Sequence, residues 1–114
     1  MAKYEDHLHC DFRGLLTYLN DYILNGSISA SLEDGSEFCA GDVRCVTRVY
    51  ERYSWTGKNR LSLTLTLFGR DGDVRVSAIT AGGSQGLFIK LNTFGESAFL
   101  EAFLEGLEKY KKAH

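Results

Sequence analysis

The fold class is decided by the stretch Leu61-Ser62-Leu63-Thr64-Leu65-Thr66-Leu67-Phe68. Four leucines alternate with polar or aromatic side chains, and successive side chains of a β-strand point to opposite faces of its sheet. The stretch therefore predicts a strand that buries Leu61, Leu63, Leu65 and Leu67 on one face. Its other side chains then lie on the opposite face.

Further strands are predicted on both sides of this stretch. Val43 to Tyr53 is rich in β-branched and aromatic residues, and Val74 to Ala78 follows Asp71-Gly72, a dipeptide typical of hairpin turns. Upstream, polar and apolar residues alternate from Ser27 to Leu32, which predicts a strand. A turn is expected at Asp34-Gly35, and strand character resumes at Phe38 and Cys39. Downstream, the loop Gly82 to Gly86 leads to a last predicted strand with Leu87, Ile89 and Leu91 on one face.

Two amphipathic helices flank the predicted strands. The first is predicted over residues 11–24, with Asp11 as its N-cap and Asn25-Gly26 at its end. The second is predicted over residues 95–112, and Thr93 and Glu96 form a T-x-x-E capping box at its start. Their apolar stripes contain Phe12, Leu15, Leu16, Leu19, Tyr22 and Ile23 in the first helix, and Phe99, Leu100, Phe103, Leu104 and Leu107 in the second. Each helix has one side to bury.

The connections between the predicted strands are too short for the crossovers that parallel strands need. Helices with one apolar side pack on one face of a sheet. We therefore predict a single α+β domain over residues 1–114. It is a two-layer sandwich, an antiparallel meander of about five strands with an N-terminal and a C-terminal helix packed on one face.

Strict alternation assigns a second set of side chains to the exposed face of the sheet. Val43, Cys45 and Val49 are expected to point toward the helices, which places Val46 and its even-numbered neighbours outside. The candidate binding residues on this exposed face are Arg44, Arg48, Tyr50, Arg52, Phe68, Arg75, Phe88 and Lys90.

Charge is unevenly distributed along the chain. The 114 residues contain 13 Lys and Arg against 15 Asp and Glu, a net charge of −2. Residues 43–90 contain eight basic and three acidic side chains, a net charge of +5, whereas residues 1–42 contain two basic and eight acidic ones, a net charge of −6. The predicted sheet is therefore basic, and the segment before it is acidic.

Three interpretations of the exposed face remain open. It is a solvated sheet face, an interface between copies, or a surface for an anionic or nucleic-acid ligand. Apolar residues on this face favour the second interpretation, and a pI near 5.9 argues against nucleic acid. We expect a non-enzymatic protein that self-associates through this face or through an edge strand at Ser27 to Leu32.

Few residues suggest chemistry. His7, His9 and Cys10 form a cluster of zinc or copper ligand types without an evident fourth ligand, so no metal, cofactor or small-molecule ligand is assigned. The histidines lie near the chain ends, and no catalytic set can be assembled from them. Cys10, Cys39 and Cys45 are expected to be reduced thiols, and the absence of a long apolar run or signal peptide predicts a cytoplasmic protein without membrane spans.

Several motifs together carry a resemblance to a known family. They are Val49 to Tyr53, Arg60 to Leu63, Leu67 to Gly72, Ala81 to Gln85 and Asn92 to Glu96. Over nearly its full length the chain resembles a small family of uncharacterised bacterial proteins, a domain of unknown function with no assigned activity. The meander with its long last helix is also similar to helix-grip domains, which implies a small-ligand binder as a further alternative.

Overall fold

A computed structural model describes residues 1–53, 59–82 and 89–114, and of residues 89–96 the backbone alone. The elements along the chain are β1 (Ala2–Leu8), α1 (Phe12–Asn25), β2 (Ser31–Ala40), β3 (Val43–Tyr53), β4 (Arg60–Arg70), β5 (Asp73–Gly82) and α2 (Ile89–Ala113). The strands form one antiparallel sheet in the order β1-β5-β4-β3-β2. The predicted α+β class, with five antiparallel strands and a helix near each end, is confirmed.

The central strand β4 is buried as its leucine alternation predicts. Leu61, Leu63, Leu65 and Leu67 all lie in the core beneath the helices. The helices contribute Phe12, Leu15, Leu16, Leu19 and Ile23 from α1, and Phe99, Leu100, Phe103, Leu107 and Tyr110 from α2. Burial of a leucine or phenylalanine side chain stabilises a fold by about 1.5–3 kcal/mol, so this layer contributes most of the driving force for folding.

The start of α1 is fixed by two aspartates. Asp11 is the predicted N-cap, and its carboxylate accepts a hydrogen bond from the Gly14 N–H at 2.7 Å. Asp71, in the turn between β4 and β5, accepts from the Phe12 N–H at 3.0 Å. In the same turn Gly72 has a φ of 87° and donates its N–H to the Cys10 carbonyl at 2.8 Å. The β4–β5 turn therefore positions the helix.

The fifth strand is β1 at the N-terminus, and the strand predicted at Leu87, Ile89 and Leu91 is wrong. β1 pairs with β5 over Ala2 to Leu8. Residue 87 lies outside the described residues, and α2 already begins at Ile89. Three apolar residues over five positions form too short a run for periodicity to separate a strand from a helix, which explains the wrong assignment.

The beginning of α2 also differs from the prediction. The predicted helix covers residues 95–112, but α2 extends over Ile89–Ala113, so Thr93 lies inside it and is not its N-cap. A capping box needs a residue with non-helical dihedrals at its first position. The predicted loop at Gly82 to Gly86 falls mostly outside the described residues, and Gly82 itself ends β5.

The edge strand β2 is continuous where the sequence predicts a turn. Asp34 pairs with Val49 and Gly35 pairs with Arg48, so Asp34-Gly35 lies within the strand. A register shift between Leu32 and Asp34 accommodates the extra residue as a β-bulge. Residues 27–30 are not part of a strand, so the predicted edge at Ser27 to Leu32 is wrong in its bounds, and β2 is one of the two edge strands, with β1 at the other edge.

The two helices meet closely at Gly106. A Cβ atom built on Gly106 would lie 2.5–2.8 Å from ring atoms of Tyr22 in α1. Alanine is favoured over glycine inside a helix by about 1 kcal/mol, but overpacking of this severity costs about 1–3 kcal/mol. Steric repulsion from the Tyr22 ring therefore outweighs the gain in helix propensity at this position.

We predict that Gly106→Ala lowers the free energy of unfolding by about 1 kcal/mol, since the overpacking outweighs the helix propensity. Urea denaturation measures the effect. In a Tyr22→Ala background the same substitution should become neutral or stabilising, because the ring is gone. A Gly106→Ala protein as stable as the wild type would show that the helices are not in close contact here.

Candidate functional site

The eight predicted binding residues do not share one face of the sheet. Val46 pairs with Leu67 and Tyr50 pairs with Leu63, so the even-numbered residues of β3 point toward the helices. Val46 is 3% exposed and Tyr50 is fully buried. The predicted face is therefore wrong for Arg44, Val46, Arg48, Tyr50 and Arg52. The aliphatic part of an arginine side chain can cover apolar surface while its guanidinium group reaches solvent at the edge of that surface. Arginine can therefore lie on the buried side of a strand, although a polar and apolar alternation assigns it to the exposed side.

The remaining predicted residues divide into two groups. Phe68 and Arg75 lie on the side of the sheet opposite the helices, as predicted. Lys90 belongs to α2, so its assignment to a strand is wrong, and Phe88 lies outside the described residues. The structure therefore brings Arg44, Arg48, Tyr50 and Arg52 together on one side of the sheet and Phe68 and Arg75 on the other.

The open face is the side of the sheet that the helices do not cover. Cross-strand partners point to the same face, so its side chains form rows across the strands. From β2 to β1 these rows are Phe38-Cys45-Phe68-Arg75-His7, Ser36-Thr47-Thr66-Ser77-Glu5, Asp34-Val49-Thr64-Ile79-Lys3 and Ser31-Glu51-Ser62-Ala81.

Two phenylalanines stand out from the open face. Phe38 is 71% exposed on the edge strand, and Phe68 is 47% exposed on the central one. Toward β1 the face contains a depression of about 410 Å³ whose lining includes Phe68, Arg75 and His7. Exposed aromatic side chains and depressions of this kind are typical of interaction surfaces.

The arginine seam, formed by Arg44, Arg48 and Arg52, lies between β3 and the helices. The Arg44 guanidinium stacks 4.6 Å from the centroid of the Phe12 ring, and the Arg52 guanidinium stacks 4.3 Å from that of Phe99. Burial lowers the pKa of Arg52. One phenylalanine of each helix, Phe12 and Phe99, is thus covered by a guanidinium group, which stabilises the fold by about 0.5–2 kcal/mol for each contact.

Arg48, between the other two arginines, takes part in a half-buried polar contact that the sequence pattern did not predict. Asn20 of α1 accepts hydrogen bonds at Oδ1 from the Tyr50 hydroxyl at 2.7 Å and from Arg48 Nη1 at 3.2 Å. Burial raises the pKa of Tyr50, which keeps its hydroxyl a hydrogen-bond donor. Asn20 lies between Leu16 and Ile23 at helical spacing. A polar residue at the border of an apolar stripe was the sequence feature that could have indicated this contact.

The predicted metal cluster is divided between two environments. His7 pairs through Nε2 with Asp73, and His9 Nδ1 lies 3.1 Å from the Gly72 carbonyl oxygen, with the two rings 4.9 Å apart. The Cys10 thiol instead interacts with Tyr110 of α2, and burial raises its pKa. In the described part of the chain, no three His, Cys, Asp or Glu side chains are grouped to hold a metal ion.

An interhelical cleft of about 540 Å³ opens on the outer surface of the helices. Its lining includes Tyr18, Asp21 and Tyr22 from α1 and Glu105 from α2. The rings of Tyr18 and Tyr22 stack at a centroid distance of 5.9 Å. The interior between the helices and the sheet, where helix-grip domains hold ligands, is instead filled by the leucines of β4. The interhelical cleft therefore lies outside the core.

Asp6 fastens the first strand to the last helix. Its carboxylate accepts hydrogen bonds from Lys111 Nζ at 2.8 Å, from the Tyr4 hydroxyl at 2.9 Å and from the His7 N–H at 2.8 Å. Burial by itself would raise the pKa of Asp6, but these three donors outweigh it and lower the pKa below the ordinary value. The folded state therefore favours the ionised carboxylate.

Since folding lowers the pKa of Asp6, its stabilisation is complete above the pKa of the unfolded chain and disappears as the pH falls through the folded pKa. We predict that Asp6→Asn lowers the free energy of unfolding by about 1 kcal/mol at pH 7 and much less near pH 2. Urea denaturation at both pH values measures this. Asp42→Asn, in an exposed turn pair with Arg70, is the control. An equal loss at both pH values would contradict the assignment.

Comparison with known proteins gives a family but no activity. Residues 1–111 match the model of a protein family described as a family of unknown function, DUF6054. The chain belongs to the DUF6054 family. The match extends from β1 through nearly all of α2, so the open face, the arginine seam and the interhelical cleft all fall within the DUF6054 region. No curated protein and no solved structure matches the chain.

A helix that crosses a bilayer must be both long and apolar. Neither α1 nor the described part of α2 meets both conditions.

Proposed function

We propose that this protein is a self-associating domain whose open faces pack against each other in a symmetric dimer. The observation that carries the proposal is that Phe38 protrudes at one edge of the open face, while a depression of about 410 Å³ lies toward the other edge. A protruding side chain and a depression at opposite edges of one surface can fit the same features of a second copy, and a two-fold interface requires such self-complementarity.

A two-fold axis parallel to β4, lying between the two sheets, brings these features together. It places β2 of one copy over β1 of the other, because β4 is the middle strand of five. Phe38 then lies over His7, at the depression that His7 and Phe68 line. Side chains that fill well-packed pockets in a partner are among those that contribute most to binding.

The other rows of the open face fit the same axis. Lys3 of one copy lies opposite Asp34 of the other, and Ile79 lies opposite Val49. An axis across the strands, through the row of hydroxyl side chains, would instead leave Lys3 opposite His7 and Arg75 opposite Ile79. Aligned sheets pack with strands about 30° apart, an offset that side chains of this length can span.

The size of the open face is adequate for a dimer. Five strands about 4.8 Å apart and about ten residues long project over roughly 24 by 33 Å. This projection is close to the roughly 800 Å² that each partner contributes to a typical specific interface.

The proposal also includes a location. Cys10, Cys39 and Cys45 are free thiols. Free thiols are typical of a reducing compartment, which supports a cytoplasmic protein.

We predict that the wild-type protein sediments at twice its chain mass of 12.7 kDa and that Phe38→Asp sediments at the chain mass. Analytical ultracentrifugation measures both. Ile28→Asp is the matched control, since Ile28 is also an exposed apolar residue but lies outside the sheet. Tyr50 is not a site for this test because it is fully buried. A wild-type monomer, or a Phe38→Asp dimer, would overturn the proposal.

Charge exchange tests the orientation of the two copies. Lys3→Asp should weaken the dimer through repulsion from Asp34, and the combination Lys3→Asp with Asp34→Lys should restore it. If the double variant dimerises no better than Lys3→Asp alone, the axis is not parallel to β4.

A further inference from the structure

One cation of the chain itself lies beside two residues that line the interhelical cleft. The ammonium group of Lys109 lies 5.5 Å from the centroid of the Tyr22 ring and 3.2 Å from Glu105 Oε1. The Tyr22 hydroxyl donates to the same Glu105 oxygen at 3.1 Å. Glu105, followed by Tyr22, raises the pKa of Lys109. An aromatic face combined with a carboxylate is the arrangement that binds ammonium groups.

An aromatic ring and a carboxylate also line the cleft one helical turn earlier in α1. Tyr18 lies four residues before Tyr22, and its ring stacks beside the Tyr22 ring. Asp21 also lines the cleft, and it contributes a carboxylate that belongs to no described ion pair. The small side chain of Ala102 forms part of the opposite wall and leaves space there. Lys109 therefore lies beside Tyr22, and a second position with the same two residue types lies beside Tyr18.

Close contacts with α2 surround the two tyrosines. Gly106 lies against the Tyr22 ring with no room for a side chain, and Tyr18 also packs on Tyr110 at a centroid distance of 5.1 Å. The two tyrosines are thus held in place before any ligand arrives. A preformed site loses less conformational entropy on binding than one that must be ordered.

We propose that the interhelical cleft binds a small organic molecule with a primary ammonium group. The ammonium lies on the Tyr18 ring and donates hydrogen bonds to the Asp21 carboxylate and to the side-chain carbonyl of Asn25, which also lines the cleft. The cleft volume of about 540 Å³ is in the range of small-ligand sites. The acidic charge of residues 1–42, a net −6, attracts such a cation. The site is independent of the open face, because it lies on the opposite side of the sheet.

The test is a titration of the ¹⁵N-labelled protein with 1,4-diaminobutane, followed by amide chemical shifts. We expect saturable shifts centred on Tyr18, Asp21 and Ala102, and none with 1,4-butanediol, which has the same chain without charge. Absence of saturable shifts, or equal shifts with the diol, would overturn the proposal.

Variants then identify the groups that bind. Asp21→Asn should weaken binding about tenfold through loss of a charged hydrogen bond, and Tyr18→Leu about threefold through loss of the aromatic face. Asp42→Asn removes the same charge from a distant exposed turn and should change the affinity little. Equal effects of Asp21→Asn and Asp42→Asn would show attraction by overall charge alone and overturn the site.

Tetramethylammonium separates two kinds of cation recognition. It offers no N–H donor, so it should bind at least about tenfold more weakly than the diamine. Binding of tetramethylammonium as tight as that of the diamine would show an aromatic site for quaternary ammonium and contradict the assignment of a primary one.

Discussion

The packing of four leucines from β4 beneath the two helices is the contact on which the rest of the structure depends. Because β4 is the central strand, its buried face fixes the buried face of both neighbours through cross-strand pairing. Val46 and Tyr50 in β3 and Val76 and Ala78 in β5 are buried for this reason. Every other side chain of the sheet is assigned to one side or the other by its register with these leucines.

Two helices on one side of a five-stranded sheet leave two kinds of surface. One is the open face, where hydroxyl rows alternate with Phe38, Phe68, Val49 and Ile79. The other is the rim of the helix layer, where the arginine seam covers Phe12 and Phe99. The seam explains why a chain with a basic middle segment does not present a basic sheet face. Two of its arginines cover apolar rings of the helix layer, and the open face is the side that the helices leave uncovered.

Much of the fold was accessible from the sequence because its signals were local. The leucine alternation of β4, the Asp11 cap and the Asp71-Gly72 turn each depend on neighbouring residues, and each prediction was confirmed. The errors arose where pairing between distant segments determines the secondary structure or the face of a side chain. β1 mixes charged, polar and mildly apolar residues without a regular alternation, and becomes a strand by pairing with β5. In β3 the apolar Cys45 and Val49 lie on the open face, because register with β4 outweighs residue type.

The candidate sites were predicted less completely than the fold, for the same physical reason. Phe68 and Arg75 were assigned to the correct face, since their strands alternate without interruption. The recess near His7 could not be predicted, because it requires the N-terminal strand beside β5. Asn20 joins Tyr50 across 30 residues, and the interhelical cleft combines residues of α1 and α2. Contacts of this range have no periodic signal in one sequence.

The central claim, one face of the sheet covered by helices and the other by a second copy, can be tested with the native thiols. Cys45 lies on the open face beside Phe68, whereas Cys39 is exposed on the edge strand and points away from that face. The measurement is the alkylation rate of each thiol, followed by peptide mass spectrometry, over a range of protein concentrations. The account predicts that Cys45 becomes progressively protected as the concentration rises, while Cys39 reacts at a constant rate. A Cys45 rate independent of concentration would contradict it.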